Sequence, residues 1–125
     1  MTLNTVKGFL DNTEGKELAK IAKQCSKLGP CLEIGTYCGK SALIMGSVCK
    51  KNKNILFTVD HHTGSEEHQL GEEYHDSDLF DQNISCFNSL PEFLRNLKES
   101  NLANFVLPIV ADSEEISKNW EIPLG

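Results

Sequence analysis

The sequence predicts an α/β domain in which helices flank a parallel β-sheet. Short apolar runs rich in β-branched and aromatic residues recur along the chain, segments with helical spacing lie between them, and glycine or proline separates the two. Strands that alternate with helices in this way pair in parallel and are joined by right-handed crossovers. With 125 residues, 24 % charged and 39 % hydrophobic, the chain has the size and composition of one small globular domain.

The first half of the chain contains two predicted helices and two predicted strands. Apolar residues at helical spacing predict a helix over 13–28, with Thr13 as its N-cap, and a Gly-Pro pair ends it. A short apolar strand follows at 31–34. The segment 40–50 is apolar almost all round and predicts a buried helix. The run "ILFTV" at 55–59 fits a strand that is buried on both faces.

The middle of the chain is more polar. Residues 61–78 show no clean period and predict a long loop. The apolar residues between Leu79 and Phe87 predict a helix, and Pro91 fits the first turn of a further helix. The residues of that further helix expected to face the core are Phe93, Leu94 and Leu97.

The last predicted strand is "FVLPIV" at 105–110. Pro108 lacks an N–H group for the ladder, so the strand is expected at an edge of the sheet. Ser113 then fits an N-cap, since Glu114 and Glu115 are favourable in the first turn of a helix.

A glycine turn joins the first strand to the second helix in "CLEIGTYCGKSAL", residues 31–43. Ligands of parallel α/β sheets bind beyond the carboxyl ends of the strands, where Gly35 permits a tight turn and a close approach to the backbone. The free N–H groups of the following helix favour anionic ligand groups. The spacing of Gly35 and Gly39 is not the dinucleotide fingerprint G-x-G-x-x-G, because Tyr37 stands where that fingerprint has glycine. Glu33 would bind a cationic amino group, which favours a cofactor that carries an amino acid over a diphosphate.

Polar residues also follow the other two strands. Asp60 ends the second strand, where an acidic residue accepts hydrogen bonds from ribose hydroxyls. Asp112 and Ser113 end the third strand, where they would meet an adenine edge. The alternative for Asp60 is a solvated loop residue, and for the other two it is helix capping.

The motifs "LEIGTYCGKSAL", "VDHH" and "VADSEE" resemble those of class I S-adenosylmethionine-dependent methyltransferases. The chain is most similar to small O-methyltransferases of the catechol type and to their bacterial relatives with a "GSEEHQ" loop. It departs from the catechol type in its long 61–78 insertion. The resemblance implies a Rossmann-like fold, S-adenosyl-L-methionine as the cofactor, and methyl transfer to an oxygen or nitrogen of a small molecule. The implied cofactor-binding residues are Glu33, Gly35, Tyr37, Gly39 and Ser41 at the methionine end, Asp60 and His61 at the ribose, and Asp112 and Ser113 at the adenine.

That family has seven strands in the order 3-2-1-4-5-7-6, and strands 1 to 3 are visible here. We therefore expect the chain to be the N-terminal cofactor-binding half of a longer protein, with strand order 3-2-1 and strands 4 to 7 absent. Catalytic residues are not assigned. The unpaired edge of the first strand predicts self-association.

Two other functions are open at this point. The same fold would serve a nucleotide-binding module without catalysis. Histidines and carboxylates in the loop 61–78 would serve a metal-binding protein, although their spacing matches no zinc pattern and no metal is predicted. The loop otherwise fits a polar lid or a substrate-facing segment.

Charge and hydropathy bear on partners and location. A formal net charge of −6 argues against a nucleic-acid partner, and the lysine row near the N-terminus fits a solvated helix face. No apolar run approaches the roughly 20 residues that span a bilayer, and the N-terminus lacks a signal-peptide pattern. The five cysteines include no C-x-x-C pair, which fits reduced thiols and a cytoplasmic protein.

Overall fold

A three-stranded parallel sheet forms the centre of the molecule. The computed structural model describes residues 6, 10–64, 80–81 and 86–125. The sheet order is β1-β2-β5, so the predicted order 3-2-1 of the first three sheet strands is confirmed. In chain order, the elements are α1 (Asn12–Cys25), β1 (Cys31–Ile34), α2 (Lys40–Lys51), β2 (Leu56–Val59), β3 (Phe80–Asp81), β4 (Cys86–Phe87), α3 (Leu90–Glu99), β5 (Val106–Ile109) and α4 (Ser113–Ser117).

The three parallel strands are in register along their whole length. Ile34 is paired with Val59, and Val59 with Ile109. All three strands therefore end at the same edge of the sheet, which we call the carboxyl rim. The residues that directly follow β1, β2 and β5 therefore lie along this rim.

Helices α2 and α3 bury one face of the sheet. A Cβ atom at Gly46 would lie 2.7 Å from a methyl carbon of Val106, so the lack of a side chain lets α2 approach β5 closely. Helix α1 packs in turn on α2, with Gly15 beside Ile44. The buried hydrophobic cluster consists of Val6, Cys31, Cys38, Ala42, Leu43, Cys49, Leu56, Phe93, Leu97, Leu102 and Val106.

Both outer strands of this sheet have an edge without a strand partner among the described residues. Pro108 lies in β5, so its predicted edge position is confirmed. On the other side, Cys31 and Gly35 donate their N–H groups toward β2. Because backbone groups alternate in direction along a strand, those of Leu32 and Ile34 point to the open edge of β1. Near the start of that edge, the N–H of Gly125 donates to the carbonyl oxygen of Pro30 at 2.9 Å.

Two predicted helix caps are wrong. Helix α1 is capped by Asp11, whose carboxylate accepts from the N–H of Glu14 at 2.8 Å, and not by Thr13. Helix α4 is capped by Asp112, which accepts from the N–H of Glu114 at 2.9 Å, and not by Ser113. In both cases a carboxylate one or two residues upstream takes the position, since its charge also favours the positive end of the helix.

The predicted helix between Leu79 and Phe87 is also wrong in its described part. Strands β3 and β4 form a short antiparallel pair there, with Phe80 opposite Phe87. A few apolar residues do not distinguish helical spacing from that of a small hairpin.

Helix α3 differs from the prediction in one of its inward-facing residues. Phe93 and Leu97 are buried as expected, whereas Leu94 is exposed. Asn96 is buried in its place, because its side-chain amide donates to the carbonyl oxygen of Cys38 at 2.8 Å. Within the described part of the chain, no helix has the length and apolar character needed to cross a bilayer.

Candidate functional site

A cleft of about 300 Å³ lies on the carboxyl rim. It is bounded by the ends of β1, β2 and β5 and by the start of α3, which is where ligands bind in open parallel sheets. Its lining residues are Ile34, Gly35, Tyr37, Val59, Asp60, His61, Gly64, Ser89, Ala111 and Ser113.

The two glycines of the turn after β1 have different roles. Gly35 has a φ of +82°, and no atom lies within 4 Å of the position that a Cβ would take. The backbone at Gly35 is therefore open to the cleft. Gly39 has a φ of +95°, but a Cβ there would lie 2.6 Å from Cε1 of Phe93. Its missing side chain makes room for α3 and not for a ligand.

Asp60 holds this glycine turn in place. One oxygen of its carboxylate, Oδ2, accepts from the backbone N–H groups of Thr36 at 2.7 Å and Tyr37 at 2.8 Å. The other oxygen, Oδ1, accepts from the N–H of His62 at 2.9 Å. Burial alone would raise the pKa of Asp60, but these N–H groups and the nearby His62 ring together lower the pKa below its ordinary value. The carboxylate is thus stabilised as an anion.

The same bonds limit what Asp60 offers to a ligand. A carboxylate has about four acceptor positions, and three are used by the backbone. The unused one is on Oδ1, so Asp60 has room for one further hydrogen bond from a hydroxyl group.

Glu33 lies behind the turn, in β1, and is 8 % exposed. Its Oε2 accepts from the hydroxyl of Ser41 in the first turn of α2, whereas Oε1 is buried without a hydrogen-bond partner. Burial raises the pKa of Glu33 to about 7, although the hydroxyls of Ser41 and Thr36 act in the opposite direction. An unsatisfied buried carboxylate oxygen is costly, and a cationic group at this place would offset that cost.

The two histidines after Asp60 differ sharply. His61 is exposed, and its Nδ1 lies 3.1 Å from the backbone nitrogen of Thr63 and 2.6 Å from that residue's hydroxyl oxygen. His62 is 2 % exposed, has a φ of +63°, and stacks on the ring of Phe93 with a centroid distance of 5.4 Å. Its Nδ1 lies 2.7 Å from the hydroxyl oxygen of Ser89. His62 therefore connects the rim of the sheet to the start of α3.

The structure brings part of the predicted site together. Five of the nine predicted cofactor-binding residues line the cleft: Gly35, Tyr37, Asp60, His61 and Ser113. The other four, which lie around the cleft but do not line it, are Glu33, Gly39, Ser41 and Asp112. Asp112 uses its carboxylate to cap α4, which was the alternative that the sequence left open.

Half of the lining was not predicted. Ile34 and Val59 are the last residues of their strands, and Ala111 follows β5, so topology alone would have identified them. Ser89 comes from the start of α3, and no sequence pattern indicated it.

The metal-binding alternative gains no support from the described residues. Among them, no group of three or more histidine, cysteine, aspartate or glutamate side chains is placed to hold a metal ion. Most of the loop 61–78 lies outside the described residues, so the predicted lid stays a prediction.

A family model described as "Methyltransferase domain" matches residues 32–125, which is three quarters of the chain and includes all of the sheet except the first residue of β1. The chain belongs to the methyltransferase domain family. This membership agrees with the resemblance carried by the glycine turn.

Solved methyltransferases share the fold of this methyltransferase domain. The O-methyltransferase TomG of Streptomyces achromogenes, in complex with SAM, has 17 % identity and a TM-score of 0.61, with 92 % of this chain and 40 % of TomG covered. The O-methyltransferase of Bacillus cereus, in complex with SAH, has 18 % identity and a TM-score of 0.59, with coverages of 97 % and 45 %. An SAH-bound methyltransferase of Podospora anserina has 16 % identity and a TM-score of 0.62, with coverages of 93 % and 39 %. The chain thus spans less than half the length of these structures.

Proposed function

We propose that residues 1–125 form the cofactor-binding part of an S-adenosylmethionine-dependent methyltransferase that acts on an oxygen or nitrogen nucleophile of a small molecule. The observation that carries this proposal is the open backbone at Gly35, which faces a cleft at the carboxyl rim. Family membership supports the reaction class, and solved relatives with SAM or SAH support the cofactor.

The residues present fit such a cofactor at two points. A Cβ at Gly35 would project into open space of the cleft, so the glycine leaves its backbone accessible to a ligand. Oε1 of Glu33 is buried without a partner, and it suits a cationic amino group that reaches it directly or through water. Gly35 lies in the turn after β1 and Glu33 lies behind it in β1, and this is where the methionine end of the cofactor would be held.

The cofactor, when bound, supplies a methyl group on a positively charged sulfur. This chain contributes binding and orientation. Asp60 fixes the turn through Thr36 and Tyr37 and keeps one acceptor position for a ribose hydroxyl. Ser113 lines the far end of the cleft, where we place the adenine. Fixing the cofactor in this way lowers the entropic barrier of transfer to an acceptor held opposite.

The partners of the domain follow from the same proposal. The acceptor is a small molecule, and neither a nucleic acid nor a membrane is expected as a partner, which fits a cytoplasmic enzyme with a net charge of −6. The open edge of β1 supports self-association of the chain.

Calorimetric titration of the chain with S-adenosylhomocysteine, NAD and adenosine tests the proposal. We expect S-adenosylhomocysteine to bind most tightly, since it alone carries both the adenosine and the amino-acid part. Gly35→Val should abolish this binding, because a branched side chain would occupy the opening, while the far-ultraviolet circular dichroism spectrum stays close to that of the unchanged protein.

A control variant distinguishes ligand contact from general damage. Ser47→Ala removes a hydroxyl that donates to the carbonyl oxygen of Leu43 in α2 and does not touch the cleft lining. It should bind as the unchanged protein does. Tighter binding of NAD than of S-adenosylhomocysteine, or unchanged binding in Gly35→Val, would overturn the proposal.

A further inference from the structure

Ser89 occupies the N-cap position of α3 but does not act as a cap. A serine at this position normally accepts a hydrogen bond from an N–H group in the first helical turn. Here its side chain makes no such bond, and the preceding residue, Asn88, accepts from the N–H of Leu90 instead. The hydroxyl of Ser89 is directed to His62, and Ser89 lines the cleft.

His62 is held by contacts on several sides. Its N–H donates to Oδ1 of Asp60, its carbonyl oxygen accepts from the N–H of Ser89 at 2.9 Å, and its ring stacks on Phe93. A non-glycine residue at positive φ is uncommon and costs free energy. His62 thus keeps a strained backbone that lets it contact Asp60 through its N–H and Ser89 through its ring.

We propose that Ser89 is a second ribose-binding residue of the cleft, and that His62 is the positioning residue that holds Ser89 and Asp60 as a pair facing the vicinal hydroxyls of a nucleoside. This inference rests on the proposed function and extends it. Asp60 has one acceptor position left on Oδ1, which serves one hydroxyl. The hydroxyl of Ser89 serves the other.

The hydrogen-bonding capacity of Ser89 supports this role in either state of the His62 ring. A hydroxyl has one donor and two acceptor positions. If Ser89 donates to Nδ1, it keeps acceptor positions for a ligand hydroxyl. If it accepts from Nδ1–H, its own O–H makes only a long contact of 3.5 Å with the carbonyl oxygen of His62 and can turn to donate to a ligand. A ribose hydroxyl both donates and accepts, so it pairs with Ser89 in both cases.

The experiment compares ligands that differ by a single hydroxyl. Titrations of the unchanged chain with S-adenosylhomocysteine and with its 2′-deoxy and 3′-deoxy analogues should show about tenfold weaker binding for each analogue, a typical effect of one missing hydrogen bond in a polar site. Ser89→Ala should weaken the binding of S-adenosylhomocysteine to the level of one analogue, and leave the binding of that same analogue unchanged.

Variants of His62 separate positioning from folding. Asparagine tolerates positive φ and carries a side-chain amide that replaces Nδ1, so His62→Asn should keep the preference for the diol. His62→Leu should bind S-adenosylhomocysteine no more tightly than the analogue that lacks the hydroxyl bound by Ser89. Ser47→Ala is the matched serine control and should keep both preferences.

The outcomes distinguish this inference from the proposed function. If the unchanged chain binds no nucleoside ligand, the proposed function fails and the inference fails with it. If it binds S-adenosylhomocysteine and Ser89→Ala weakens all three ligands by the same factor, the role of Ser89 is structural and this inference alone is overturned. The same conclusion follows if His62→Leu keeps both preferences.

Discussion

The ring of Phe93 fills the space that a side chain at Gly39 would need. Cε1 of Phe93 lies 2.6 Å from the position of a Cβ there, and Phe93 itself is fully buried. The same ring stacks on His62. One aromatic side chain of α3 therefore packs against both the glycine turn and His62.

Gly39→Ala should destabilise the fold more than Gly35→Ala. Both glycines have positive φ, which costs an alanine about 1–2 kcal/mol. Only at position 39 does the added methyl group also clash with Phe93, and overpacking of this kind costs about 1–3 kcal/mol more. Urea unfolding of both variants measures the difference. Combining Gly39→Ala with Phe93→Leu should recover part of the loss, and equal stabilities of the two single variants would contradict the packing argument.

Asp60→Asn should loosen the glycine turn as well as weaken ligand binding. Hydrogen bonds to a charged group contribute about 1.5–3 kcal/mol each, and the carboxylate accepts three. Because an amide in its place presents a donor to one of these N–H groups, we expect a loss of roughly 2–4 kcal/mol of unfolding free energy. Asp112→Asn is the control, since that carboxylate caps one short helix and asparagine caps about as well as aspartate, so only the favourable charge at the helix N-terminus is lost, at a cost of about 0.3–1 kcal/mol. A loss no larger than that of the control would show that Asp60 is not a support of the turn.

Local patterns in the sequence predicted the sheet well. Strand β1 has the bounds that its apolar run and the following glycine indicate, and the alternation of elements was enough to predict parallel pairing. The helix predicted up to Phe87 failed because its few apolar residues fit two periods equally well.

The site was predictable in position but not in contacts. Topology places every strand end on one rim, which located Gly35, Asp60 and Ser113. The bond between Asp60 and the N–H of Thr36 joins residues 24 positions apart, and the contact of His62 with Ser89 spans 27 positions. The first pair arises because β1 and β2 are neighbours in register, and the second arises from packing of α3 against the rim. No local pattern encodes either contact.

The stability of the chain should carry a pH dependence that Glu33→Gln removes. The pKa of Glu33 is raised from 4.5 to about 7, mainly by burial, so its folded state retains a proton that the unfolded state releases. The stabilising contribution is present below about pH 4.5 and is lost as the pH rises through 7. Full loss amounts to roughly 3 kcal/mol. Urea unfolding of the variant and of the unchanged protein from pH 4.5 to 8 gives this effect as the difference between their unfolding free energies. Burial lowers the pKa of His62, which gives an opposing pH dependence. Because both proteins contain His62, its contribution cancels in the difference. Glu33→Gln should become the more stable of the two above pH 7, and a difference that does not vary with pH would contradict the assignment.

The open edge of β1 should make the chain self-associate. Leu32 and Ile34 direct their backbone groups to this edge, and the side chain of Ile34 is 55 % exposed. Unpaired edges recruit other strands, and a lysine placed on an edge opposes such pairing. Sedimentation velocity at micromolar concentrations should show species larger than a monomer, and Ile34→Lys should shift the distribution toward monomer. Leu28→Lys is the matched control, because Leu28 is 83 % exposed but lies before the strand, and it should have no such effect. A monodisperse monomer, with the amides of Leu32 and Ile34 protected from hydrogen exchange, would show that another part of the chain covers this edge.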